Sequence, residues 1–89
     1  MKKAKGQEPP QIKIRSHEQL GHAIRRIRKI QKLTQTQLAV KSGLRQATIS
    51  KIESGNKKAE IGTLFLICAA LNLEIAFNTR SQKTNQDFL

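Results

Sequence analysis

One short stretch in the middle of this chain carries side chains that could read nucleic acid. Gln46, Ala47, Ser50 and Lys51 recur at the spacing of one helical face, and each is short or polar. A glutamine can bond adenine through two hydrogen bonds at once, and an alanine can contact the methyl group of thymine. Arg45 stands directly before them and adds a cation, which we interpret as a guanine or phosphate contact. The pattern predicts that these five residues form a base-reading face, and a merely solvated face is the alternative.

A second group of polar side chains surrounds this face and could bind the phosphate backbone. Gln35 lies at the amino end of a predicted helix, where unpaired amides and the helix dipole favour an anion. Lys51 is equally consistent with a base contact and a phosphate contact. For each residue of the group, a solvated surface position is the alternative. The predicted phosphate contacts are Gln35, Thr48, Ser54, Asn56, Lys57 and Lys58.

One acid lies within this otherwise polar and basic region. Glu53 would repel phosphate if its side chain pointed outward. We therefore expect it to pair with a nearby arginine, Arg28 of the first helix, in a structural role.

Two short helices joined by a glycine turn must position these side chains. Thr34 and Gln37 form a capping box that predicts a helix ending at Ser42–Gly43, and another helix follows from about Gln46 to Ser54. The turn needs a positive φ, which glycine adopts without strain. A small residue where the helices meet and apolar residues facing inward complete a helix-turn-helix. The predicted core of this unit is Leu38, Ala39, Gly43, Leu44, Ile49 and Ile52.

Further helices flank this unit on both sides. Apolar residues from Leu20 to Ile30 recur every three or four positions, which predicts an amphipathic helix over 17–31 behind a capping box at Ser16. A fourth helix, 61–71, is apolar almost all round. Such a helix has to be covered on several sides, which a domain this small cannot do alone.

Polar and apolar residues also alternate in two short segments, 11–15 and 73–78, which predicts two strands. Because an isolated pair of short strands is marginal in water, we expect a small sheet across a dimer. The alternative is that 73–79 packs as an extended tail on its own subunit. The predicted fold is mainly α, a four-to-five-helix helix-turn-helix domain with short flanking strands. The predicted dimer-interface residues are Leu64, Phe65, Ile67, Cys68, Leu71, Leu73, Ile75 and Phe77.

Charge and composition narrow the class of partner. The chain has 89 residues with 17 Lys and Arg against 6 Asp and Glu, a formal net charge of +11. An excess of this size on a small chain predicts a polyanionic partner, and nucleic acid is the first candidate. Aromatic residues make up 3%, too few for a stacking platform for single strands or RNA. Double-stranded DNA is therefore the expected polyanionic partner.

Other classes are disfavoured by what the sequence lacks. No apolar run reaches the length of a membrane span, and one cysteine, Cys68, cannot form an internal disulfide framework. His17 and His22 do not share a helical face, so no metal site is expected. Neither a phosphate-binding glycine loop nor paired carboxylates indicate catalysis. We expect a cytoplasmic protein that is not an enzyme and needs no cofactor.

The chain is expected to hold one domain between two tails. Residues 1–10 are predicted to be a disordered basic arm, 11–79 the DNA-binding and dimerisation domain, and 80–89 a flexible tail. The tail ends on Phe88 and Leu89, which are either an apolar hook for a partner or a random terminus.

The segments LTQTQLA and ATISKIESG resemble the phage-repressor-type, or XRE, helix-turn-helix family, and the resemblance extends over 20–71. The outer segments IKIRSHEQLG and LNLEIAF are similar to those of HipB-like antitoxins. This resemblance implies a homodimer that binds an inverted-repeat operator, represses its own operon and holds a HipA-like serine/threonine kinase toxin. Arg45 replaces the commoner Ser or Thr cap of the family, and Gly62 replaces a good helix former. A stand-alone repressor without a toxin is the second hypothesis, and a non-specific architectural protein is the third.

Overall fold

Four α-helices make up the regular structure of this protein. The computed structural model describes residues 11–80, so the predicted basic arm and the last residues of the predicted tail, with Phe88 and Leu89, lie outside it. The mainly helical fold class is confirmed. The helices are α1 (His17–Ile30), α2 (Gln35–Ser42), α3 (Gln46–Glu53) and α4 (Ile61–Ala70).

The first two helices begin at side chains that satisfy the free amides of the first turn. Ser16 Oγ accepts from the amide of Gln19 at 3.0 Å, and Gln19 Oε1 accepts from the amide of Arg15. Thr34 and Gln37 form the full reciprocal box at 3.0 and 2.8 Å. A lost cap costs about 1 kcal/mol, so these short motifs fix where each helix starts.

The core lies where the four helices meet. α2 packs against α3 and α4, and α1 packs against α3. The apolar face of α1 supplies Ala23, Ile24 and Ile27. The fully buried side chains of the other helices, and of the turn after α4, are Leu38, Ile49, Ile67 and Leu71.

The two predicted strands are absent from residues 11–80, and this prediction is wrong for the single chain. Residues 11–15 and 76–80 lie on either side of a groove of about 220 Å³. No backbone hydrogen bond joins the two segments within the described range. A β-strand is stabilised by backbone hydrogen bonds to a neighbouring strand. Without such a neighbour, a segment of alternating polar and apolar residues stays irregular.

α4 has one buried face and one exposed face. Ile67 and Leu71, predicted to lie at a dimer interface, are instead fully buried inside this chain and have no surface left for a partner. Ile61, Phe65 and Leu66 are 65%, 56% and 48% exposed. One chain therefore covers only part of this helix, because the small core reaches it from one side.

Candidate nucleic-acid interface

The predicted base-reading residues lie along α3 and at its amino end. Arg45, Gln46, Ala47 and Lys51 are exposed, and Ser50 is half-buried. Arg45 occupies the cap position but makes no side-chain cap hydrogen bond. The exposed Arg45 side chain at the start of α3 is therefore not used to cap the helix.

The turn between α2 and α3 holds this face at a fixed angle to the rest of the domain. Gly43 has φ +78°, a left-handed conformation that is strained for residues with a side chain. The amide of Leu44 donates to Ala39 O at 2.9 Å and closes the turn. Leu38 and Ile49 are fully buried, Ala39 and Ile52 are nearly so, and Leu44 packs partly buried against them.

α1 crosses α3 in direct backbone contact at Gly21. A Cβ placed on Gly21 would lie 2.4 Å from Ile52 O and 2.7 Å from Glu53 O, well inside van der Waals contact. This close approach brings the side chain of Arg28, two turns further along α1, to the carboxyl end of α3.

Arg28 and Glu53 form a buried, bidentate ion pair, as predicted from the sequence. Arg28 Nε and Nη2 donate to the two carboxylate oxygens at 2.6 and 2.9 Å, and Nη1 donates to Leu33 O at 2.8 Å. The side chains are 8% and 4% exposed. Every buried polar side-chain atom within 11–80 has a partner, so the pair is fully satisfied rather than merely close.

The pKa of Glu53 is lowered from its ordinary value. Burial by itself would raise this pKa, but hydrogen bonds from Arg28 and Gln35, together with the charges of Arg28 and Arg25, outweigh burial. The hydrogen bond to Glu53 raises the pKa of Arg28 further still. Glu53 is therefore an ionised carboxylate at neutral pH.

Two amide side chains extend this ion pair out to the base-reading face. Gln35 Nε2 donates to Glu53 Oε1 at 3.0 Å, and Gln46 Nε2 donates to Gln35 Oε1 at 2.6 Å. We call Arg28, Glu53, Gln35 and Gln46 the amide relay. It links a buried charge to an exposed side chain through three helices.

The remaining predicted phosphate contacts lie at and beyond the end of α3. Lys57 and Lys58 are exposed, while Thr48 and Asn56 are half-buried. Ser54 Oγ donates to Ser50 O at 2.9 Å, and Asn56 Oδ1 accepts from the Lys58 amide at 2.7 Å. These two side chains shape the turn that presents the lysines, a role that sequence reasoning did not assign to them.

The side-chain hydrogen bonds of Gln35 are not indicated by the sequence. Gln35 was predicted as a phosphate contact, yet it is half-buried and bonded at both ends of its amide. Its partners lie 18 and 11 positions away in sequence. Local periodicity does not report contacts between residues so far apart in sequence.

The other predicted dimer-interface residues are distributed between surface and core. Phe77 is 96% exposed, and Phe65 and Ile75 are about half exposed. Leu64, Leu73 and Cys68 are half-buried, and burial raises the pKa of the Cys68 thiol. Within 11–80, no three His, Cys, Asp or Glu side chains cluster as metal ligands would, and no helix has the length and apolarity of a membrane span.

Comparison with known proteins places this geometry in a family. Residues 24–78 match the helix-turn-helix family HTH_3. The antitoxin HipB of Escherichia coli K12 is 36% identical over 81 residues, covering 86% of this chain and 92% of that protein. An uncharacterized HTH-type transcriptional regulator of Sinorhizobium fredii, y4dL, is 40% identical over 58 residues, 65% of this chain but 30% of that longer protein.

A solved structure shows the same fold. A chain of a HipA-HipB-O2-O3 complex superposes with a TM-score of 0.73 at 35% identity, covering 78% of this chain and 97% of that one. The relatives are an antitoxin and a transcriptional regulator, which agrees with the prediction that this chain is not an enzyme. The chain belongs to the XRE-type helix-turn-helix family and, within it, is of the HipB type.

Proposed function

We propose that this protein is a sequence-specific repressor of the HipB antitoxin type that inserts α3 into the major groove of double-stranded DNA. The observation that carries the proposal is the exposed α3 face, with Gln46 at its first position and Arg45 just before it. An α-helix fits the major groove, and amide and guanidinium groups read base edges there.

The hydrogen bonds already made leave Gln46 the groups that a base requires. Its amide has two N–H donors and one carbonyl acceptor, and Gln35 uses one donor. The second donor and the carbonyl remain for the N7 and N6 groups of adenine. Ala47, the next exposed residue, offers a methyl group for thymine.

Basic and polar groups around α3 would hold the phosphate backbone on either side of the groove. Gln35 keeps one N–H free at the amino end of α2, and Lys57 and Lys58 are exposed beyond α3. Such contacts fix register and orientation without reading sequence. Thr48, Ser54 and Asn56 complete the proposed set.

Selection from a library of duplexes with a randomised core tests this function. We expect enrichment of one inverted-repeat sequence, bound at least about a thousandfold more tightly than a scrambled duplex. Equal affinity for the two duplexes would contradict the proposal and favour a non-specific architectural protein.

The exposed apolar face of α4 supports a homodimer. Ile61, Phe65 and Leu66 form a surface without charge on a chain of net charge +11, so a second copy meets the least like-charge repulsion there. Ile75 and Phe77, in the segment after α4, are two further exposed apolar side chains. Pairing of the irregular end segments between two copies would supply the ladder that a single chain lacks.

A two-fold dimer makes a geometric demand on the operator. Recognition helices of such a dimer lie about 34 Å apart, one turn of DNA. Footprinting should show two half-sites related by inverted symmetry, and sedimentation should give twice the chain mass. A single asymmetric footprint from a monomer would contradict the dimer.

A HipA-like kinase toxin is the proposed protein partner, in a bacterial cytoplasm. The support is the 36% identity to an antitoxin over most of both chains and the fold shared with a HipB chain in a HipA-containing complex. Mass spectrometry of what co-purifies with the untagged native protein tests it. If no kinase-fold protein co-purifies, a stand-alone repressor is favoured.

A further inference from the structure

We propose that Glu53, a buried residue that cannot reach DNA, determines the base preference of Gln46 by fixing the orientation of two amide groups in series. The inference rests on the proposed function, since it assumes that Gln46 reads a base. Its geometric basis is the amide relay, in which each bond dictates the direction of the next.

The inner end of the relay accepts hydrogen bonds and cannot donate them. Glu53 is held by Arg28 at 2.6 and 2.9 Å, and its lowered pKa keeps it ionised. An ionised carboxylate has acceptors only. Gln35 therefore has to turn its NH2 group toward Glu53, because its carbonyl oxygen would face another acceptor at 3.0 Å.

The direction set at Gln35 passes to the surface. With its NH2 group on Glu53, Gln35 presents its carbonyl oxygen to Gln46. Gln46 must then donate, at 2.6 Å, and so turns its own NH2 group inward and its carbonyl oxygen away. The donor and the acceptor of the exposed amide are thus placed in one order along α3 before any DNA is bound.

That order matters because a base edge is itself ordered. Adenine offers an acceptor at N7 beside a donor at N6, and a bidentate pair needs the amide donor and acceptor opposite them. A reversed amide sets acceptor against acceptor. A glutamine free to rotate by half a turn would present both orders and discriminate less.

Three substitutions separate orientation from charge and from folding. Glu53→Gln replaces the acceptor-only group with an amide that can donate or accept, so both orders of the relay become possible. Gln35→Met breaks the relay without leaving a buried charge unpaired. Glu60→Gln removes the same charge from an exposed side chain that makes no cap hydrogen bond, and serves as the matched control.

The measurement is the base preference of each protein in the same randomised duplex library. Gln46→Ala first identifies the base pair that Gln46 reads. At that pair we expect about 5- to 150-fold discrimination by the wild type and by Glu60→Gln. In Glu53→Gln and Gln35→Met it should fall below about threefold, while preferences at other positions persist.

Failure of this inference is distinguishable from failure of the proposed function. A wild type without any duplex preference would overturn the function itself. A selective wild type together with unchanged discrimination in Glu53→Gln would overturn only the role of Glu53, whatever the result for Gln35→Met. Equal loss in Glu60→Gln would also overturn it, because charge rather than orientation would then be responsible.

Circular dichroism on heating shows which variants are folded. If Glu53→Gln does not fold, the double variant Arg28→Met/Glu53→Gln, which leaves no buried charge unpaired, takes its place, and the same loss of discrimination is expected. A lost phosphate contact at Gln35 lowers affinity for every sequence alike, so the discrimination ratio within one protein still reports the relay.

Discussion

The α3 surface and the α4 surface are opposite in chemistry although one small core supports both. Around α3 the exposed side chains other than Ala47 are polar or basic, and Gln46 is already hydrogen-bonded to a partner. Along α4 the exposed side chains of Ile61, Phe65 and Leu66 are apolar, with no polar atom to bond. The α3 surface can form hydrogen bonds and ionic contacts with a charged ligand. The α4 surface is stabilised when a partner buries its apolar side chains.

The difference predicts that the two surfaces associate by different forces. Electrostatic contacts on the α3 side are screened by salt, whereas apolar burial on the α4 side is not. The two associations should therefore respond to different changes in conditions and to different substitutions.

The largest expected effect separates the two surfaces by salt. Raising monovalent salt from about 50 to about 200 mM should weaken operator binding by about 10³-fold or more, if six or more phosphates are contacted. Homodimer dissociation should barely change. Fluorescence anisotropy and sedimentation equilibrium at each salt concentration measure the two constants. Equal salt slopes for the two associations would contradict electrostatic binding on the α3 side and apolar burial on the α4 side.

Removal of an apolar side chain from α4 should affect the dimer strongly. Phe65→Ala should weaken dimerisation by about 1.5–3 kcal/mol, since the dimer loses two rings that each have about half of their surface left to bury. Sedimentation equilibrium measures this change. Val40→Ala is the matched control, because Val40 is 79% exposed on α2 and outside the α4 face. If both variants dissociate alike, α4 is not the interface.

Removal of the reading amide should affect DNA alone. Gln46→Ala should cost about 1–3 kcal/mol at one base pair and leave the dimer intact. Lys57→Ala is its counterpart: affinity should fall on every sequence, and the magnitude of the log–log salt slope should decrease by about 1.8, because each of the two copies loses one phosphate contact. Quantitative binding to operator and single-pair variants distinguishes the two patterns. An unchanged preference in Gln46→Ala would remove it from the base-reading set.

The smallest expected effect is the response of stability to acid. Because the pKa of Glu53 is lower in the folded protein, its contribution to the free energy of unfolding is full above the unfolded-state pKa, about 4.3. It should be lost as pH falls through the lower folded-state pKa. Urea unfolding between pH 7 and about pH 3 should show a steeper decline for the wild type than for Glu53→Gln. Parallel declines would mean that Glu53 is not the titrating group.

Features set by neighbours in sequence were predictable. The capping boxes at Ser16 and Thr34 and the glycine turn at Gly43 act within a few residues, so spacing alone located the helix ends to within a residue. The Arg28–Glu53 pair was predicted from charge, because a lone acid near a basic surface needs a partner.

Features set across elements were not predictable. α4 is apolar all round, so its sequence has no phase to show that Ile67 is buried and Phe65 exposed. The alternation of 73–78 is local, but a strand needs a bonded partner, which residues 11–80 of one chain do not supply. The bonds of Gln35 depend on how three helices cross.

The crossing at Gly21 has a consequence for inheritance. Its missing side chain lets α1 contact the backbone of α3 and so keeps Arg28 beside Glu53. A larger residue there would separate the two helices while leaving every recognition residue unchanged. Two alleles that differ only at position 21 would then differ in how well Gln46 discriminates between bases, although their recognition helices have the same sequence.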